Sequence, residues 1–168
     1  MAGWSLGWPA PIAWVIAFAC VALGWRRRST LARLNPPNPS ILLEQLLAEA
    51  SAADFVSDEA RRAAIAELNQ RIADVSFELG LLPATFTALT RISLASGSAL
   101  ALLGFMASAD SEPLERTLRV AVCAVSGLVG AGAVAAIGRS ARRRAAGIRE
   151  AWDRSSREIG KSLGTGLE

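Results

Sequence analysis

The sequence predicts an all-α membrane protein with three transmembrane helices, N-terminus out and C-terminus in, and with long helices extending into the cytoplasm. Three stretches nearly free of charge predict it. No charged side chain occurs from Met1 to Trp25 or from Val120 to Gly138, and Arg91 alone interrupts Leu79 to Ala109. A helix needs about 20 mostly apolar residues to cross a bilayer core, and each stretch suffices. Of the 168 residues, 52% are hydrophobic and 20% charged, so the charges crowd into the remaining segments. Such hydrophobicity excludes intrinsic disorder, and two cysteines exclude a disulfide-stapled scaffold.

The flanks set the orientation. Arg26, Arg27 and Arg28 follow the first window, and Arg139, Arg142, Arg143 and Arg144 follow the third. Between the second and third windows, Ser108 to Arg116 is short and net acidic. Basic short loops stay in the cytoplasm. The chain therefore divides into a first crossing (1–25), a cytoplasmic segment (26–80), a second crossing (81–108), a short external turn (109–117), a third crossing (118–138) and a basic cytoplasmic amphipathic helix (139–168). A signal peptide would carry its charge before the apolar core; here the charge follows, so 1–25 is read as a crossing. Trp4, Trp8 and Trp25 bracket it as interfacial tryptophans do. Cys20 and Cys123 fall inside windows and read as small packing residues.

Three prolines in Asn35–Pro39 break the helix after the first crossing. Asn38 caps the next helix, with Pro39 at its first position. Ile41, Leu42, Leu46 and Leu47 share one face of that helix, which ends near Ala53. Ser57 caps a third helix, with Asp58 and Glu59 in its first turn. Ile65, Leu68, Ile72, Val75 and Leu79 then follow at alternating spacings of three and four, an assembly seam. The seam runs on into Leu82, Phe86 and Leu89 without a stop signal, so the second crossing continues a long cytoplasmic helix, with Pro83 as a kink position. Counting back from the acidic turn puts the inner boundary near residues 88–90 and Arg91 in the first membrane turn. Two readings of Arg91 stay open: a side chain snorkelling to the inner head groups, or a charge at a pore mouth or in an inter-subunit pair.

The tail keeps Ile148, Trp152, Ile159 and Leu163 on one face. That face packs on the seam or on a neighbouring subunit, while Arg139 to Arg144 lie where anionic lipid would meet them. The basic run hugs a membrane end, so no nucleic-acid partner is expected.

The sequence holds no His and no Tyr. No metal cluster, phosphate loop or nucleophile–base pair is visible, so neither an enzyme nor a cofactor or metal site is expected. Small and hydroxylated residues line the windows instead: Thr87, Thr90, Ser93, Ser96, Gly97 and Ser98 in the second, Ser126, Gly127, Gly130, Ala131, Ala135 and Gly138 in the third. Such faces let helices approach closely in lipid; alternatively they line a narrow polar path or seat a partner helix.

The order of parts, together with three stretches, resembles the MotA/TolQ/ExbB family of ion-channel subunits. Ala63–Leu82 looks like that family's helix entering the second of these crossings. Ile92–Met106 is similar to its small-residue stretch, and Val125–Gly138 followed by Arg139 resembles its Thr-Ala-Gly-Leu segment and basic exit. The resemblance covers roughly residues 60–160. It implies a bacterial inner-membrane, multi-pass subunit forming a homo-oligomeric ring, a pentamer, around a single-pass partner like ExbD, TolR or MotB. The partner's Asp would carry the proton. Thr90, Ser93, Ser96, Gly97, Ser98, Val125 and Ser126 become the candidate pore-lining or partner-facing residues. The chain departs from the family at Val125, where the resemblance implies a pore-facing Thr, and near Ser96 and Gly97, where it implies a Gly-Thr pair. The expected function is a ring-forming subunit of an ion-gradient-driven channel or motor. The alternative is a non-conducting scaffold assembling through its cytoplasmic helices.

Overall fold

The computed structural model describes residues 9–50, 58–108 and 112–162. Among them every residue is helical except Asn35–Asn38, Ser108 and Glu112, and there is no strand. Helix α1 spans Pro9–Thr30 and tightens into a 3₁₀ turn over Leu31–Leu34. Helix α2 is Pro39–Ala50, α3 is Asp58–Ala107 and α4 is Pro113–Ser162. Three helical stretches, Pro9–Leu34, Arg61–Ala107 and Pro113–Ser162, are long and apolar enough to span a membrane.

Local chemistry explains the ends. Arg27 and Arg28 in the last turn of α1 favour its negative dipole end. Asn35 leaves the helix at φ −63°, ψ 134°, because the ring of Pro36 excludes the helical region for the residue before it. Helix α2 restarts where expected: the Leu42 amide donates to the Asn38 carbonyl at 2.9 Å, with Pro39 first in the helix. Pro113 opens α4 in the same way, and the Arg116 amide donates to the Glu112 carbonyl at 3.0 Å. The expected α2 end near Ala53 and the cap at Ser57 lie outside the described residues, as do Trp4, Trp8 and Leu163.

Helix α3 runs unbroken for 50 residues through Pro83, as the uninterrupted seam predicts. The proline withdraws one amide, and the Thr87 hydroxyl donates to the Pro83 carbonyl at 2.7 Å one turn on. Helix α4 is also 50 residues long, which differs from the division expected at Gly138. A change of solvent does not interrupt the i to i−4 hydrogen bonds, and the Arg- and Ala-rich stretch beyond Gly138 favours helix. The connection between α3 and α4 is correspondingly shorter than the expected turn over 109–117, because Pro113–Thr117 already belongs to α4.

The chain forms two compact units. One contains the described part of Met1–Ser29 with Leu82–Ala141; the other contains Thr30–Leu81 and the described residues from Arg142 on. In the first, α1 turns Ala10, Ala13, Ala17, Cys20 and Gly24 inward, at spacings of three and four. Ala10 and Ala13 cluster with Leu100, Ala101 and Cys123. Both cysteines are buried and free. Outward, the same helix shows Val15 and Phe18, each 66% exposed, so its bulky side chains face away from the protein. In the second unit Leu31, Leu42, Leu46, Leu68, Leu79, Ile148 and Ile159 are buried, and the Trp152 indole N–H donates to the Leu34 carbonyl at 2.7 Å. Ile41, expected on the buried face of α2, is half exposed.

Candidate functional site

The candidate residues gather where α3 and α4 pair in the first unit. A Cβ on Gly97 would lie 2.7 Å from the Gly127 Cα, and one on Gly127 would lie 2.9 Å from the Gly97 Cα. The two backbones therefore touch, and only glycine fits at either position. The Ser93 hydroxyl, fully buried, donates across to the Gly127 carbonyl at 3.1 Å. One turn along α4, a Cβ on Gly130 would strike the Ser93 hydroxyl and lie 2.8 Å from the Ala17 Cβ, so α1 closes on the same spot. Small faces of this kind bring helices together where the solvent gives no hydrophobic drive.

The seven candidates divide by where they point. Ser93, Gly97 and Ser126 are buried between helices of the same chain. Ser126 donates to the Cys123 carbonyl at 2.8 Å. Thr90 and Ser96 are half-buried and return their hydroxyls to the backbone of α3, to Phe86 at 2.8 Å and to Ser93 at 3.1 Å. Ser98 and Val125 are exposed. Ser93 and Gly97 thus meet α4 at Gly127, Ser126 is buried beside it, and two of the seven face outward.

Contacts also fix the level of the charges. Phe86 packs against both Gly24 and Gly138, whose added Cβ atoms would lie 3.5 Å and 3.0 Å from its ring. Arg26 and Arg139 stand within two residues of those glycines. Arg91 lies five residues further along α3, roughly 7.5 Å beyond that level at 1.5 Å per residue, and it is exposed. At the charged end of α1 the Arg28 guanidinium lies 5.0 Å from the Trp25 ring centroid.

Sequence reasoning missed two features. The inward stripe of α1 is built of alanine, cysteine and glycine, which carry little signal among bulkier neighbours. The other is the corner of the α3–α4 hairpin. There Arg116 donates from Nε to the Ser108 carbonyl at 2.9 Å, and its guanidinium lies 5.2 Å from the Phe105 ring centroid. One turn on, Arg119 pairs with Glu115 at 2.5 Å. The Arg in this acidic turn was the available signal.

Of the assembly seam, Leu68 and Leu79 are buried, while Ile65, Ile72 and Val75 are half-buried. Ile148, Trp152 and Ile159 are buried in the same unit.

No protein-family model, no curated protein and no solved structure matches this chain.

Proposed function

We propose that the chain is a ring-forming inner-membrane subunit of an ion-gradient-driven complex of the MotA/TolQ/ExbB kind. In this reading it works with a single-pass partner that supplies the proton-carrying Asp. The observation that carries the reading is the pair of 50-residue helices, α3 and α4, each an apolar span continued by an amphipathic stretch. That form, joined to the motif resemblance, suits a subunit that transmits work from a membrane hairpin to its cytoplasmic extension. Ser98, exposed, and Thr90 and Ser96, half-buried, are the candidate hydroxyls not fully buried within the chain. Imaging the purified particle tests the reading: a five-fold ring enclosing a single-pass helix is expected, and a particle without ring symmetry or such a helix refutes it. In a working complex Ser96→Val reduces ion-driven output without dissolving the ring.

A specific observation favours the second reading, a non-conducting scaffold. The Ser93 and Ser126 hydroxyls are engaged within the chain, and Val125 presents an apolar surface outward. Ion flux that depends on this chain eliminates it.

A further inference from the structure

The arginines of this chain differ in what they pair with. Arg71, Arg119 and Arg154 each reach a glutamate one turn back on their own helix: Glu67, Glu115 and Glu150. Arg26, Arg28 and Arg139 do not; among the described residues none of the three pairs with a carboxylate. The sequence denies them one. No acid precedes Glu44, and α4 carries none between Glu115 and Glu150. In the membrane-spanning unit the only acids among the described residues are Glu112 and Glu115. Twenty-four residues separate Glu115 from Arg139, roughly 36 Å along α4.

These three charges share a level. Phe86 packs on Gly24 and on Gly138, so α1 and α4 pass the same point of α3, and each turns basic within two residues of it. The change at the surface of α1 is abrupt: exposed Leu23 is followed by exposed Trp25 and Arg26. An exposed indole between an apolar face and a basic one suits the head-group layer, where tryptophan gathers. The Arg28 guanidinium lies 5.0 Å from the centroid of that indole. An arginine held over a ring is covered on one face and keeps the N–H groups of its edge. That edge is the fork that grips a phosphate through two parallel bonds.

We propose that the basic end of the membrane-spanning unit, formed by Trp25, Arg26 and Arg28 of α1 and Arg139 of α4, binds the phosphate groups of anionic phospholipids. Its place where the apolar spans end selects the lipid head group as the source of that phosphate. A zwitterionic lipid carries its own ammonium to offset the phosphate, so the arginines discriminate by net charge. The inference rests on reading these helices as membrane crossings and is independent of the family resemblance.

The test uses the full chain reconstituted in phosphatidylcholine vesicles, with a trace of phosphatidylglycerol or phosphatidylcholine spin-labelled on the acyl chain. Flotation with the vesicles comes first, because a chain that does not float refutes the membrane reading itself. In floating vesicles at low salt, the protein-bound fraction favours phosphatidylglycerol about fivefold, equivalent to about 1 kcal/mol. Salt at about 1 M, where the Debye length is roughly 3 Å, removes most of that preference. The variant Arg26→Gln/Arg28→Gln/Arg139→Gln lowers it at least about twofold. Arg154→Gln, which removes the pair with Glu150 instead, leaves it unchanged. Equal association of the two lipids at low salt overturns the proposal. So does a preference that salt does not weaken, or that the triple variant retains in full. Displacement of phosphatidylglycerol by inorganic phosphate at matched ionic strength overturns it too, and assigns the arginines to a free anion. The salt series on the unaltered chain decides even where the triple variant fails to insert.

Discussion

At Gly97 and Gly127 the distance between two helices is set by the absence of two methyl groups. Alanine at Gly97 brings its Cβ against backbone, which has no rotamer to yield, whereas alanine at Gly132 meets nothing within 4 Å. Both changes gain the same helix propensity, up to about 1 kcal/mol. The difference between them reads the contact alone. Thermal melts in detergent should show Gly97→Ala less stable than Gly132→Ala by about 1–3 kcal/mol, and equal melts would mean that the helices do not touch there. Ser93→Ala should be milder, about 0.6 kcal/mol, the mean for such bonds between membrane helices. Which hydroxyls turn inward was not legible in the sequence. Ser93 and Ser98, five residues apart, point to different sides of α3, and it is Ser93 that is fully buried and Ser98 that is exposed. That outcome depends on where α4 lies around α3, which periodicity within one helix does not state.

Among the elements, the short connections carry specific bonds. Trp152 is buried, and its indole N–H is bonded to the Leu34 carbonyl at the end of the 3₁₀ turn. Trp152→Phe keeps most of the ring and removes the donor. The expected loss is about 1 kcal/mol, seen as faster proteolysis at the non-helical Asn35–Asn38; cleavage at the unaltered rate would mean the bond holds nothing. At the hairpin corner, Arg116→Ala loses both the Ser108 carbonyl and the Phe105 ring. A melt lowered by about 1 kcal/mol is expected, while Leu114→Ala, 71% exposed, serves as the silent control. The extent of α3 was legible because its seam passes from Ile65 to Leu89 without a clear stop signal. That of α4 was not, because Gly138 and the arginines after it look like an end. In the structure Gly138 is an interior helix position that makes room for Phe86.

For the whole molecule, the charge pattern predicts opposite sides for the two termini. A reporter fused after Glu168 should be active only in the cytoplasm, and one placed before Met1 only outside; external activity of the C-terminal fusion would reverse the account. The three spans were the most legible feature, since an ionised side chain in hydrocarbon is too unfavourable to be scattered at random. The packing of α1 was the least legible, because alanine and glycine serve equally in any helix.

The touching backbones of α3 and α4 also bear on how the protein responds to temperature. In lipid their union removes no apolar surface from water, so it lacks the hydration entropy that dominates aqueous folding at about 25 °C. Separating that hairpin should absorb heat with almost no change in heat capacity, whereas melting a water-facing segment exposes apolar area and raises it. Scanning calorimetry of the detergent-solubilised chain should therefore resolve two kinds of transition, and chilling should loosen only the one that water helps to hold together.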